Sequence, residues 1–109
     1  MPRNDALQGT LDLLVLKTLA QLDAMHGFGI ALHIQQVTSG ALRVEEGSLY
    51  PALRRIEHEG WIASEWKTSE NNRRAKYYRL TAAGRKQLAR EEQSWAQVVK
   101  GVGALLRYA

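Results

Sequence analysis

The feature that most constrains the fold is a long helical pattern near the carboxyl end of the chain, from Thr81 as N-cap to Tyr108. A helix of about 25 residues is about 37 Å long at about 1.5 Å per residue. A 109-residue domain has an expected radius of gyration of only about 13 Å. The far end must therefore project beyond the core, and its apolar stripe needs a partner. That stripe consists of Leu88, Trp95, Val98, Val99, Val102, Leu105 and Leu106.

The first predicted helix supplies a suitable partner for this stripe. Its main apolar positions follow the helical spacing of three and four, with Thr10 as N-cap and Asp12 in the first turn: Leu11, Leu14, Val15, Thr18, Leu19 and Leu22. Leu13 and Leu16 fall outside these positions, so the helix is apolar on more than one side. A helix of that kind is buried on more than one face. We therefore predict a homodimer in which Leu13 and Leu16 meet the carboxy-terminal stripe of a second copy.

Composition excludes several classes of protein. The chain has 109 residues, a formal net charge of +4, 45% hydrophobic and 24% charged residues, which fits one globular domain. The absence of cysteine excludes disulfides, thiolate zinc sites and cysteine nucleophiles. The longest apolar run, Leu13 to Leu16, is too short to span a membrane, and residues 1–5 lack the apolar segment of a secretory signal. A soluble, cytoplasmic protein is expected.

A second helix is predicted from Phe28 to Thr38, after a turn marked by Gly27 and Gly29, with Gly40 as its stop signal. Its apolar positions are Phe28, Ile30, Ala31, Ile34 and Val37. His26 and His33 lie seven residues apart, but no third metal ligand accompanies them. We expect these histidines to pack or to lie at the surface, and we predict neither a metal nor a cofactor.

The third predicted helix, ending at Gly60, separates its residues into two faces. Leu49, Leu53 and Ile56 form an inward stripe with Ala52 at its edge, and Ser48 as N-cap would place Pro51 in the first turn. The opposite face carries Tyr50, Pro51, Arg54, Arg55 and His58. An aromatic side chain and two arginines are thus offered to solvent or to a ligand.

The helical period gives way to alternation after Gly60. Trp61–Lys67 and Lys76–Leu80 read as two strands joined by a polar turn. Lys67–Arg79 holds five basic residues and one acidic residue, so the whole positive excess of the chain lies in this hairpin. A charge run of this kind is either a solvated loop or an electrostatic footprint for phosphates.

Three helices, a basic hairpin and a final helix follow the order of a winged helix-turn-helix. The residues resemble the PadR family of transcriptional regulators through nearly the whole chain. The supporting segments are Gly9–Leu16, Met25–Ile30, Glu46–Gly60 and Arg73–Gly84. With a single helix after the hairpin, the chain is similar to the shorter PadR subfamily. We expect a mainly α fold with a small two-stranded wing, residues 1–80 forming the DNA-binding part and residues 81–109 the dimerisation helix of one compact unit.

The resemblance implies a bacterial homodimeric repressor whose third helix enters the major groove of a pseudo-palindromic operator. On the third helix, the predicted DNA-binding residues are Ser48, Tyr50, Pro51, Arg54 and Arg55. Arg54 would reach base edges or adjacent phosphates, and Arg55 could equally contact a phosphate. On the wing they are Lys67, Arg73, Arg74 and Lys76. Tyr50 is as well explained by packing against the hairpin, and Pro51 by first-turn stabilisation.

The resemblance also implies dimerisation through the carboxy-terminal helix and a response to small aromatic or lipophilic compounds. The resemblance places Trp95 near the position at which some members carry an interface tryptophan, and packing in the core or at the interface is preferred over an effector contact as its role. The second function class is a winged-helix module that binds a protein instead of DNA. An enzyme is not expected, because Ser48 has no histidine base placed by a motif and the Glu45–Glu46 and Glu91–Glu92 pairs diverge on helices.

Overall fold

A computed structural model describes residues 5–68 and 70–109 of the chain. Met1–Asn4, part of the segment from which the sequence predicts no secretory signal, lie outside the described residues. The helices are α1 (Asp5–Gln21), α2 (Gly27–Val37), α3 (Glu46–His58) and α4 (Ala82–Arg107). The strands are β1 (Met25–His26), β2 (Ile62–Thr68) and β3 (Arg74–Leu80). The predicted arrangement of three helices, a hairpin and a final helix is confirmed.

The core lies between the first three helices and the inner face of the sheet. The predicted inward stripe of α3 is confirmed, since Leu49, Leu53 and Ile56 are fully buried and Ala52 is nearly so. Burying a leucine or isoleucine side chain contributes about 1.5–3 kcal/mol, so this stripe anchors α3 firmly. Leu16 is also completely buried within its own chain. It therefore has no surface to offer a second copy, contrary to its predicted place in the dimer interface.

Two helices begin earlier than the sequence predicts. Thr10 lies inside α1, which starts at Asp5, so Thr10 is not its N-cap and Asp12 is not in its first turn. The N-cap of α3 is Glu45, whose side chain makes no capping hydrogen bond. Ser48 is therefore in the first turn, and Pro51 lies inside the helix, past that turn. The proline removes the amide that would bond the Gly47 carbonyl, and Gly47 is exposed so that water can take its place.

The helix α2 is capped by a histidine and is buried on a narrower face than its apolar pattern indicates. The Nδ1 atom of His26 accepts a hydrogen bond from the amide of Gly29 at 3.0 Å. Ile30 and Ile34 enter the core, whereas Phe28 and Val37 are 61% and 63% exposed. The buried face of α2 is therefore narrower than the face that the helical spacing of its apolar residues predicts.

The sheet has three antiparallel strands in the order β1-β3-β2, one strand more than the predicted hairpin. In the hairpin, Ile62 pairs with Leu80 and Thr68 with Arg74. On the other side of β3, Met25 pairs with Tyr78 and His26 with Tyr77. The strand β1 consists of two residues, too few to show an alternating pattern. This short pairing ties the turn between α1 and α2 to the wing, as we call the β2–β3 hairpin.

The helix α4 begins where the sequence predicts, with the Thr81 hydroxyl accepting a hydrogen bond from the Gly84 amide at 3.0 Å. Its 26 residues span about 39 Å, and the protein measures 57 × 29 × 29 Å. Leu88 is buried against the core. Past this residue, the predicted stripe lies uncovered by the chain: Trp95, Val98, Val99, Val102, Leu105 and Leu106.

Candidate nucleic-acid interface

The outward face of α3 presents a short row of exposed side chains. Ser48, Tyr50, Pro51 and Arg54 are all exposed, as their helical positions predict. Tyr50 leans on the start of α2, because a Cβ on Gly27 would lie 2.7 Å from its ring. Arg54 takes part in no ion pair among residues 5–68 and 70–109. Of the residues on this face, Arg54 is thus the cation best placed to meet an external anion.

Arg55 differs from its neighbour because it faces inward. Its two terminal nitrogens donate to Asp12 on α1, Nη1 to Oδ2 at 3.0 Å and Nη2 to Oδ1 at 2.7 Å. Hydrogen bonding of the guanidinium to the Asp12 carboxylate raises the pKa of Arg55 above its ordinary value. A guanidinium whose two terminal nitrogens both donate to a buried carboxylate is held firmly in that orientation. The structure thus gives Arg55 a partner within the protein, contrary to its predicted role as a DNA contact.

The cations of the wing divide into paired and stacked groups. The Nζ atom of Lys67 lies 3.4 Å from Oε1 of Glu65. The Nζ atom of Lys76 lies 3.3 Å from Oε1 of Glu57 on α3. Arg74 places its guanidinium over the ring of Trp66, 5.5 Å from the centroid. Arg73 is exposed at the tip of the wing. The ion pairs reduce the free charge at the two lysines, whereas Arg74 is held against an aromatic ring.

A groove of about 1,020 Å³ separates the wing from α3 and the start of α2. Arg54 and Tyr50 line it from α3, while Arg73, Arg74 and Trp66 line it from the wing. Phe28 adds an exposed aromatic ring from α2. Cations from two separate elements thus face one concave surface. We name this surface the basic groove.

The spacing between the two walls of the basic groove is fixed by Glu57. Its carboxylate accepts a hydrogen bond from the Ser64 hydroxyl on β2 and pairs with Lys76 on β3. Burial raises the pKa of the adjacent Tyr78, and the Glu57 carboxylate adds to this effect. The carboxylate of a helix residue therefore holds both strands of the wing. Sequence reasoning missed Glu57, since nothing in its spacing distinguishes it from a solvent-exposed glutamate.

A second cavity lies between α1, α2 and α4. It has a volume of about 430 Å³, and Leu13, Val37 and Trp95 are among its lining residues. Trp95 is 44% exposed, so it is not a core residue of the single chain. Lys17 and Glu92 also line the cavity, and they form an ion pair of 3.0 Å between α1 and α4. We name this space the apolar cavity.

The two histidines considered as metal ligands both have structural partners. His26 caps α2, and His33 shares a hydrogen bond of 2.9 Å with Gln21. Among the described residues, no group of three or more His, Cys, Asp or Glu side chains is arranged to hold a metal ion. Within the same residues, no helix combines the length and the apolar character that a bilayer crossing requires.

Comparisons with known proteins agree on one family. The model of the transcriptional regulator PadR-like family matches residues 15–90. The chain belongs to this family. A transcriptional regulator from Clostridium thermocellum is 27% identical and superposes with a TM-score of 0.83 over 95% of this chain and 100% of that one. A PadR-like transcriptional regulator from Bacillus cereus is 30% identical, with a TM-score of 0.76 over 97% and 100%.

The curated transcriptional regulator Rv3488 from Mycobacterium tuberculosis is 32% identical over 68 residues, 62% of this chain and 63% of that protein. This PadR-like protein is therefore a transcriptional regulator with a winged-helix fold, and the predicted resemblance is confirmed. Family membership also agrees with the prediction that the chain is not an enzyme.

Proposed function

We propose that this PadR-like protein binds double-stranded DNA as a homodimer, with α3 in the major groove and the wing along the backbone. The observation that carries the proposal is the basic groove, where Arg54 and the wing arginines face one concave surface. Arginine recognises guanine edges and phosphates through two parallel hydrogen bonds. Ser48, Tyr50 and Pro51 line the approach to the bases, and Arg73 and Arg74, with Lys67 and Lys76 behind them, contact phosphates.

The exposed stripe of α4 supports the dimer. Six large apolar side chains from Trp95 to Leu106 remain more than a third exposed in the single chain. An apolar surface of that length is a typical interaction site. The proposal gives residues 81–109 the role of a dimerisation helix, whose stripe packs against the first helix of a second copy near Leu13.

A small aromatic or lipophilic compound is proposed as the effector, bound beside Trp95. The apolar cavity supports this role, because its volume of about 430 Å³ falls in the range of small-molecule sites, about 300–1,000 Å³. Binding of the compound would release the dimer from its operator. In this proposal the DNA-bound form represses transcription, and the protein acts in the cytoplasm. In Trp61→Phe/Trp66→Phe protein, Trp95 is the remaining tryptophan, and we expect planar aromatics to quench its fluorescence.

The experiment that tests DNA binding starts with selection of bound duplexes from a random pool. We expect a pseudo-palindrome with half-sites about one helical turn apart. Fluorescence anisotropy at several salt concentrations then compares the wild type with Arg54→Ala and with Arg73→Ala/Arg74→Ala. The first variant should lose operator preference, since a bidentate base contact discriminates by about 1–3 kcal/mol. The second should weaken all duplexes alike and lower the salt slope by up to about 1.8, about 0.9 for each phosphate contact.

Arg90→Ala/Arg107→Ala is the matched control, because it removes the same charge from α4. Its salt slope should stay close to that of the wild type. Salt-insensitive binding, or no retardation of any duplex in dilute buffer, would contradict DNA binding and favour a protein partner instead. A reporter gene placed behind the selected operator separates repression from activation.

A further inference from the structure

The Asp12–Arg55 pair is a directional link between two helices that are far apart in sequence. The residues are 43 positions apart, and the side chain of Asp12 is 6% exposed while that of Arg55 is 32% exposed. Both carboxylate oxygens and both terminal guanidinium nitrogens are used. A planar fork of this kind fixes orientation as well as distance.

The charge environment keeps Arg55 on Asp12. The carboxylates of Glu59 on the C-cap of α3 and Glu91 on α4 also favour its charged form. Moving Arg55 outward to a phosphate would leave the buried Asp12 carboxylate without a partner, which is strongly unfavourable. A lysine in its place would keep the charge but lose the fork. Arg55 is therefore a structural neighbour of the DNA-facing residues rather than one of them.

The position of the pair decides where the adjacent side chain points. Successive residues of a helix are turned by about 100°, so an inward Arg55 leaves Arg54 facing the basic groove. The apolar stripe of Leu49, Leu53 and Ile56 holds α3 against the core without directional bonds, since apolar packing is not directional. The bidentate pair supplies the directional contact between α3 and α1.

We propose that Asp12 and Arg55 are positioning residues for operator recognition, which hold α3 in the rotation that aims Arg54 into the basic groove. The inference rests on the proposed DNA binding. It assigns to this pair a role in sequence preference and none in phosphate contact. Loss of the pair should therefore lower affinity for the operator while leaving affinity for unrelated duplexes unchanged.

The test uses the full-length protein with Arg55→Lys, Arg55→Gln, Asp12→Asn and the double variant Asp12→Asn/Arg55→Gln. Anisotropy measures affinity for the selected operator and for a scrambled duplex at several salt concentrations. We expect each single variant to lose about tenfold in operator preference, equivalent to about 1.4 kcal/mol. The salt slope should not change. The double variant should lose no more than Arg55→Gln or Asp12→Asn alone, because these three proteins all lack the same interaction.

Three results with these variants would overturn the proposal. A Gln variant at position 55 that weakens operator and scrambled duplex equally, with a slope lower by about 0.9, would make Arg55 a phosphate contact. Unchanged operator preference in the single variants would remove the positioning role. Circular dichroism identifies any variant that fails to fold. Asp12→Leu/Arg55→Met then replaces the pair with apolar side chains that leave no buried charge. Wild-type preference in the folded apolar variant would also overturn the proposal.

Arg54→Ala separates this inference from the proposed function. Suppose that the wild type binds the operator, that Arg54→Ala lowers the affinity for it, and that the Asp12 and Arg55 variants leave this affinity unchanged. DNA binding is then supported and the positioning role is wrong. If the wild type binds no duplex, the proposed function is contradicted and the positioning role with it.

Discussion

Gly84 and Trp61 meet backbone to backbone at the point where α4 docks on the winged-helix part. A Cβ on Gly84 would lie 1.9 Å from the carbonyl oxygen of Trp61. The same carbonyl accepts a hydrogen bond from the Thr81 amide at 3.1 Å. The first turn of α4 is thus packed directly on the turn that follows α3, with no room for a side chain between them.

This contact predicts that Gly84→Ala destabilises the protein. A backbone atom cannot move aside as a side-chain end can, so we expect the free energy of unfolding to fall by about 1–3 kcal/mol. Urea denaturation measures the change. Gly47→Ala is the control, since its Cβ would meet nothing within 4 Å. The control should unfold at the same urea concentration as the wild type or slightly higher, and equal stability of the two variants would contradict the close approach.

His26→Ala is predicted to destabilise the start of α2. The substitution removes the acceptor for the Gly29 amide and the edge contact with Tyr77, whose ring centroid lies 5.3 Å away. Loss of an N-cap and an aromatic contact costs about 1–2 kcal/mol, which thermal denaturation would detect. His26→Asn retains a capping oxygen and should recover about half of the loss. His58→Ala, at an exposed position, is the control, and a similar loss there would argue against the cap.

Val102→Asp is predicted to separate the two copies of the proposed dimer. A charge in the middle of the α4 stripe would be buried against the partner, so the Kd of the dimer should rise on the order of 100-fold, about 2.7 kcal/mol. Light scattering coupled to gel filtration gives the mass. Gln97→Asp introduces the same charge on the other side of the helix and should leave the dimer intact. A wild-type mass of one chain, or a Val102→Asp protein that still runs as a dimer, would refute the predicted interface.

Trp66→Ala is predicted to weaken DNA binding without unfolding the wing. The ring is 58% exposed and its contact with Arg74 orders the guanidinium. An exposed cation–π contact contributes about 0.5–1 kcal/mol, so affinity should fall about two- to fivefold for all duplexes alike. Trp66→Phe keeps a ring under Arg74 and should bind nearly as well as the wild type. If the phenylalanine variant is as weak as the alanine variant, the ring does not act through Arg74.

Local spacing in the sequence was sufficient for the buried stripe of α3 and for the start of α4. The stripe of Leu49, Leu53 and Ile56 and the cap at Thr81 depend on contacts within one or two turns, and both are found in the structure. Arg54 and Arg55 show the limit of this reasoning. Both lie on the polar side of a helical projection, and the carboxylate that turns Arg55 inward is on another helix, 43 residues away.

Pairings over long stretches of chain are the part of the fold that spacing could not predict. Met25 and His26 are too few to show a period, and their strand exists only because β3 offers a free edge. Phe28 follows the helical spacing of core residues but faces the basic groove, since the wing stops short of covering it. Whether such residues are buried depends on how whole helices and strands pack together, and this packing cannot be inferred from a short segment of sequence.

The two-residue strand β1 has a consequence for anyone who recombines members of this family. The central strand β3 is bonded on one flank by β2 and on the other by Met25 and His26, which lie directly before α2. If the β2–β3 hairpin is replaced by that of a relative, the two residues of β1 must therefore be replaced by those of the same relative. A chimera that takes β1 from one protein and the hairpin from another would combine strands that did not evolve to pair in one sheet.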